Sequence, residues 1–236
     1  MVVEILFQEV CGLYGDSQNA TYLQACLPDA EFVFTKLTDV PYFVENKPDF
    51  IYMGCMSEAI QRRVIAKLLP YKQRLEQLID DGVVFLATGN AGEIFTKQIE
   101  YTTEKITTEA LGFFDLTVKT DLFNRYNGVV LGDFNGLKVV GFRSQFSFLQ
   151  GDNSGFEFIK CHRGIGINPN SKLEGMRRNN LFCTQLLGPI LPLNPLFCEY
   201  LLGLCGCDAT AAYREDALAA YEQRLQEFGS AKSSHA

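Results

Sequence analysis

Along the first half of the chain, short apolar runs alternate with segments of helical periodicity. Val2 to Val10, Ala30 to Leu37 and Asp49 to Met53 have strand character, and the last, ending at Gly54, is apolar enough for a buried parallel strand. Asn19 to Cys26 opens a short helix after the turn-forming Tyr14-Gly15-Asp16-Ser17. Glu58 to Asp80 sets Ile60, Val64, Leu68, Leu75, Leu78 and Ile79 at helical spacing, with Pro70 kinking or splitting the helix. Val83 to Ala87 reads as a second buried strand and runs into Thr88-Gly-Asn-Ala-Gly92 and a helix-like start at Glu93. Strands separated by helices in this rhythm predict an α/β fold, with a mostly parallel central sheet flanked by helices.

From about Asp115 the rhythm changes. Gly128 to Leu131, Val139 to Phe142 and Phe156 to Cys161 are short strand-like runs, broken by turn clusters at Asp133-Phe-Asn-Gly136 and Gly151-Asp-Asn-Ser-Gly155. They predict an antiparallel extension of the sheet. Asp208 to Phe228 reads as a helix, and Gly229 to Ala236 as a disordered polar tail. With no repeat, low-complexity block or long linker, residues 1–228 are expected to form a single domain.

Composition narrows the function. A chain of 236 residues with 47% hydrophobic content can bury an ordinary core. A net charge of -7 and no long Lys/Arg cluster argue against nucleic acid or an anionic membrane surface as the main partner. No segment reaches the roughly 18 apolar residues of a membrane span, and the first residues lack the basic start of a signal peptide. The eight cysteines are too sparse for a secreted disulfide scaffold. A reduced, soluble, cytoplasmic protein without membrane insertion is expected. Cys205-Gly-Cys207 has one residue between its thiols and no second pair to complete four ligands, so no metal site and no cofactor are expected.

The strand running into Thr88-Gly-Asn-Ala-Gly-Glu93 is the most informative local feature. Such a turn presents one residue at the C-terminal edge of a sheet, where α/β folds bind ligands. In enzymes with a nucleophile elbow that residue is Ser or Cys. Here Gly89 has no side chain, Asn90 is no nucleophile, and Thr88 would need an adjacent base. A glycine-rich turn that only ends a strand fits this segment as well.

Four ordered segments, spanning roughly Glu9 to Leu202, resemble class I glutamine amidotransferases of the cobyric acid synthase and lipid II isoglutaminyl synthase type. Leu13-Tyr-Gly-Asp16 with Asn19 is similar to a Tyr-Gly-Asp-x-x-Asn segment of the isoglutaminyl synthase branch. Asp49 to Glu58 stands where an apolar strand precedes Gly-Gly-Gly-Gln-Asp, and Ala87 to Glu93 resembles Ala-x-Cys-Gly-Gly-x-Gln. Gly164-Ile-Gly166, Glu174-Gly175 and, most specifically, Thr184 to Pro195 resemble the closing Thr-Tyr-Leu-His-Gly-Pro-x-Leu-x-x-Asn-Pro run. The resemblance implies a flavodoxin-like amidotransferase fold. It sets Gly89 where the nucleophilic cysteine stands and Leu187 where the histidine base stands, so no catalytic residue is expected. The glycine loop is altered to Gly54-Cys55-Met56, and Gly141-Phe-Arg-Ser-Gln145 departs from Gly-Phe-Glu-Asn-His.

Three functions remain open. A catalytically degenerate glutaminase would keep the scaffold and partner a synthetase subunit resembling a Mur ligase, in amidation of cell-wall precursors. A binding module would hold a small anion or amide with Gly54, Cys55, Gly89, Asn90, Ala91 and Gln145. An active enzyme would need a displaced nucleophile, for which Cys55 is the candidate, and a base from His162 or His235.

Overall fold

The structure is a computed structural model and describes residues 1–230. In chain order the elements are β1 (Val2–Leu6), α1 (Gln18–Cys26), β2 (Glu31–Thr35), β3 (Phe50–Met53), α2 (Glu58–Leu68), α3 (Lys72–Asp80) and β4 (Val84–Thr88). There follow β5 (Gln98–Tyr101), β6 (Ile106–Glu109), β7 (Thr117–Thr120), β8 (Tyr126–Phe134), β9 (Leu137–Gln145), β10 (Ser147–Gln150) and β11 (Ile159–Arg163). The chain closes with β12 (Leu173–Glu174), β13 (Met176–Arg178), β14 (Leu181–Thr184), α4 (Ile190–Leu193), α5 (Pro195–Leu204) and α6 (Arg214–Ser230).

The central sheet has six strands in the order β13-β14-β4-β3-β1-β2, parallel except for the antiparallel edge strand β13. Strands β3 and β4 are buried at every residue, the condition of a parallel sheet covered on both faces. Residues alternate between two cores. Ile51, Met53, Phe85 and Ala87 pack on α2 and α3; Phe50, Tyr52, Val84 and Leu86 pack on α1, α5 and the strands β8 and β9. Glu4, an acidic residue in a buried strand, is satisfied. Its carboxylate accepts from Thr35 Oγ1 at 2.6 Å and from the Tyr42 and Phe43 amides at 2.7 and 2.9 Å.

Two further four-stranded sheets follow, β12-β11-β8-β9 and β10-β7-β5-β6. The first is antiparallel and contains the three runs expected after Asp115. The second is mixed, pairing β5 with β7 in parallel. Its segments Gln-Ile-Glu-Tyr, Ile-Thr-Thr-Glu and Thr-Val-Lys-Thr bury few side chains, so their apolar signal is weak.

Other differences have local causes. β1 stops at Leu6 because Phe7 adopts φ 57°, outside the range of a strand. Pro70 splits the long helix within a 3₁₀ turn, Leu69–Tyr71, as its sequence implied. The closing helix runs to Ser230, so Gly229 and Ser230 are helical where a tail was expected. The rest of that tail, His235 included, lies outside the described residues. Among the described residues no helix is long and apolar enough to cross a membrane.

Candidate functional site

The C-terminal ends of β1, β3, β4 and β14 converge at one edge of the central sheet, and the segments leaving them build the site. β3 delivers Gly54 and Cys55, β4 delivers Gly89, and β14 delivers Gln185 and Leu187. This edge is where open α/β sheets bind ligands.

A buried carboxylate ties these ends together. Asp16, fully buried after the loop from β1, accepts the Cys55 amide at 2.8 Å, Asn19 Nδ2 at 2.8 Å and the Thr88 hydroxyl. Tyr52 donates to the Asp16 carbonyl at 2.8 Å and accepts from Asn19 Nδ2 at 2.9 Å, while Asn19 Oδ1 takes the Leu191 amide at 2.9 Å. Asp16 and Asn19 of the Tyr-Gly-Asp-x-x-Asn segment thus fasten β3, β4, α1 and α4. Burial pushes the Asp16 carboxyl up to about 6, against the lowering effect of these hydrogen bonds. Gly54 belongs to the same packing. A Cβ there would lie 2.6 Å from the Cys11 carbonyl oxygen and 3.0 Å from the Tyr52 hydroxyl.

Gly89 keeps the geometry of an elbow, with φ 57°, which a side chain adopts only at a cost. The space beside it is filled. A Cβ at residue 89 would meet Cys55 Cβ at 2.8 Å, Cys55 Sγ at 2.9 Å and Leu187 Cδ2 at 3.0 Å. Leu187 and the Cys55 thiol therefore both face Gly89. Burial, with Asp16 adding to it, pushes that thiol up to about 12.

The segment after the elbow corrects one expectation. It is a seven-residue 3₁₀ helix, Gly89–Phe95, that begins at the elbow itself rather than at Glu93. Ala91, Gly92 and Glu93 are buried, and a Cβ on Gly92 would lie 3.0 Å from Cys183 Cβ, so the turn is pressed flat against β14. Its amides do not form the open helix N-terminus that would cradle an anion.

A cavity of about 80 Å³ remains above the elbow. Cys55, Gly89, Asn90 and Gln145 line it, whereas Gly54 and Ala91 do not. Sequence reasoning missed Tyr14, Ser144, Ser147 and Gln185 in its wall. Gln185 lies within the matched closing run and Tyr14 within the first motif, but the serines carry no sequence signal. Below the wall, the buried Glu93 carboxylate accepts from Gln61 Nε2 at 2.9 Å, Gln185 Nε2 at 2.8 Å and the Ser147 hydroxyl. Burial raises its pKa. Arg143, fully buried, donates to Gln145 Oε1 at 2.7 Å and to the Ile165 carbonyl at 2.9 Å; its Nη2 has no partner. Over the mouth, Arg125 sits against the rings of Tyr14 and Phe146, with its guanidinium carbon 5.5 and 5.3 Å from their centroids. It bonds the Tyr14 hydroxyl and Ser144 Oγ, each at 2.9 Å.

No histidine lines the cavity. His162 lies on β11, paired with Asp133 and 3.4 Å from Lys138 Nζ. Cys183, next to Thr184, is buried core. Among the described residues no group of His, Cys, Asp or Glu could hold a metal ion.

No protein-family model matches the chain. It is 30% identical over 156 residues to the GatD subunit of a glutamine-hydrolysing lipid II isoglutaminyl synthase from Staphylococcus aureus. That alignment takes in 65% of this chain and 62% of the relative, so the chain spans less than two thirds of that relative's length. Among solved structures, a glutamine amidotransferase superposes with a TM-score of 0.55 at 14% identity, covering 87% of this chain and 100% of its own. A chain of PurLQS from Thermotoga maritima gives a TM-score of 0.54 at 8% identity, with coverages of 95% and 98%. At such identities the likeness concerns the fold alone. The chain thus has the fold of glutamine amidotransferases and is similar in sequence, over those 156 residues, to the GatD subunit.

Proposed function

We propose that the chain is a pseudo-glutaminase, a non-catalytic or regulatory partner of an amide synthetase resembling a Mur ligase, acting in the amidation of cell-wall precursors in the cytoplasm. The observation that carries this reading is the filled elbow, with Cys55 and Leu187 occupying the space beside Gly89. Glutamine hydrolysis proceeds through a thioester and requires a thiolate, a base to form it and to protonate departing ammonia, and donors for the oxyanion. Gly89 and Leu187 offer neither thiol nor base. The choice of a synthetase partner is supported by the 30% identical relative, a subunit of a lipid II isoglutaminyl synthase. Co-expression with Mur-ligase-like synthetases of the source organism, followed by affinity capture, tests the reading. Recovery of a stoichiometric complex that releases no ammonia from glutamine is expected. A chain that recovers no such ligase, or that hydrolyses glutamine by itself, ends it.

The cavity supports a second reading, in which the chain binds a small amide or anion against Gln145, Gln185 and Asn90. A thermal-shift series with glutamine, glutamate and phosphorylated metabolites separates the two; flat responses count against a ligand. Relocated catalysis by Cys55 has a sulfur in place but no histidine in the cavity wall, and predicts ammonia release that Cys55→Ala abolishes.

A further inference from the structure

The two edges of the central sheet are finished differently. At one, β13 is three residues long and carries Arg177 and Arg178, the short, charged form that keeps an edge from pairing further. At the other, β2 runs Glu-Phe-Val-Phe-Thr and pairs with β1 alone. The Glu31 amide donates to the Met1 carbonyl at 3.0 Å, and the Thr35 carbonyl accepts from the Phe7 amide at 2.7 Å, so residues 31, 33 and 35 turn their backbone groups toward β1. In a parallel ladder the intervening residues turn theirs the other way. The amides and carbonyls of Phe32 and Phe34 therefore point out of the sheet, where no strand lies beside them among the described residues.

The two faces of this edge differ in chemistry. Side chains alternate along a strand, which puts Phe32 and Phe34 on one face and Glu31, Val33 and Thr35 on the other. The two phenylalanine rings stack with centroids 6.5 Å apart, and Phe34 is 46% exposed. On the second face Glu4, the β1 neighbour of Val33, receives the amides of Tyr42 and Phe43 and so holds the segment after β2 close to the strand. A cleft of about 310 Å³ runs between them, lined by Val33 and Phe34 of the strand and by Asp39, Val40, Tyr42 and Glu45. Asp39 and Glu45 are exposed, and no hydrogen bond or ion pair engages the Glu45 carboxylate. Among the described residues no cation lines the cleft.

We propose that β2 is a docking edge for an extended segment of a partner protein in which basic and apolar residues alternate. The segment adds as a seventh strand. Its backbone pairs with the outward amides and carbonyls of Phe32 and Phe34, its apolar side chains cover the two rings, and its basic side chains lie over Glu31, Asp39 and Glu45. Unpaired backbone groups supply the affinity of such an added strand, and the two unlike faces fix which way it lies. A second copy of this chain answers the charge less well. The chain carries a net charge of -7, and its own β2 would bring Glu31 rather than a cation to the acidic face.

The test titrates the full chain into a fluorescein-labelled, end-capped peptide of alternating lysine and valine and follows anisotropy. Binding is expected for this peptide, but not for one of the same composition with its lysines and valines in separate blocks, nor for the alternating peptide with its backbone amides N-methylated. Hydrogen exchange, read by mass spectrometry, is expected to slow at Phe32 and Phe34 when the alternating peptide is bound. Glu45→Gln should weaken binding about two- to fivefold, the loss of one exposed charge pair. Phe34→Pro, which removes an outward amide and leaves the β1 ladder intact, should weaken it about tenfold; the N-methylated peptide tests the same pairing without a variant. Equal binding of the alternating and blocked peptides, or exchange at Phe32 and Phe34 that the peptide does not slow, overturns the proposal. So does exchange already slow there in the free chain and quickened by dilution, the mark of a second copy on the edge.

Discussion

Cys55 Sγ lies 2.9 Å from the point a Cβ on Gly89 would occupy, so the chain has a sulfur beside its elbow although the elbow residue has no side chain. A cysteine introduced at 89 therefore meets occupied space. Gly89→Cys is expected to lower stability by roughly 1–3 kcal/mol, because the new side chain overpacks against Cys55 and Leu187 and the backbone is left-handed. It is expected to release no ammonia from glutamine. Gly89→Cys combined with Cys55→Gly and Leu187→His clears the space and supplies a base; it should be more stable than the single variant in urea and show ammonia release above it. Equal stability of the two would mean that Cys55 does not crowd the elbow.

Removing one oxygen from the buried hub tests its weight. Tyr52→Phe deletes a hydroxyl that donates to the Asp16 carbonyl and accepts from Asn19, and leaves both partners buried and short of a bond. A loss of about 1–3 kcal/mol in chemical denaturation is expected. A change near zero would show that water replaces the hydroxyl.

The Asp16 carboxyl, pushed up to about 6, gives a pH signature. Between its ordinary value near 4 and about 6, the folded chain holds a proton that the unfolded chain releases, so this group's contribution to stability falls as pH rises through that window. Glu93 and Glu174, also raised by burial, act in the same direction. Asp16→Asn removes the Asp16 part. The stability difference between the native chain and this variant should therefore favour the native chain more at pH 4.5 than at pH 7. A difference independent of pH would contradict the raised value.

Arg125 spans the cavity mouth between Tyr14 and Phe146 while remaining on the surface. Exposed contacts of this kind contribute about 0.5–1 kcal/mol, so Arg125→Ala should change the melting temperature little. It should nevertheless speed maleimide labelling of Cys55 in the folded chain, followed by peptide mass. An unchanged rate would mean that access to Cys55 runs past some other residue.

The alternation of apolar runs made the central sheet legible, because buried parallel strands such as Phe50–Met53 and Val84–Thr88 are apolar throughout. The ordered motifs led to Gly89 and Leu187, which the fold does bring face to face. The mixed sheet of β5, β6, β7 and β10 was not legible, since its short threonine-rich strands pair across long sequence separations. The shape of the turn after Gly89 was also hidden: it depends on the contact between Gly92 and Cys183, which only tertiary structure supplies. Ser144 and Ser147 reach the cavity through the path of β9 and β10, and no local pattern marks them.

Asp16 grips the ends of β3 and β4 from beneath, through the Cys55 amide and the Thr88 hydroxyl, without touching any side chain at residue 89. The contour of the sheet edge is thus set independently of the group displayed on it. In this architecture the elbow residue is cargo on a self-supporting frame: the side chain at position 89 can change while the edge beneath it keeps its form.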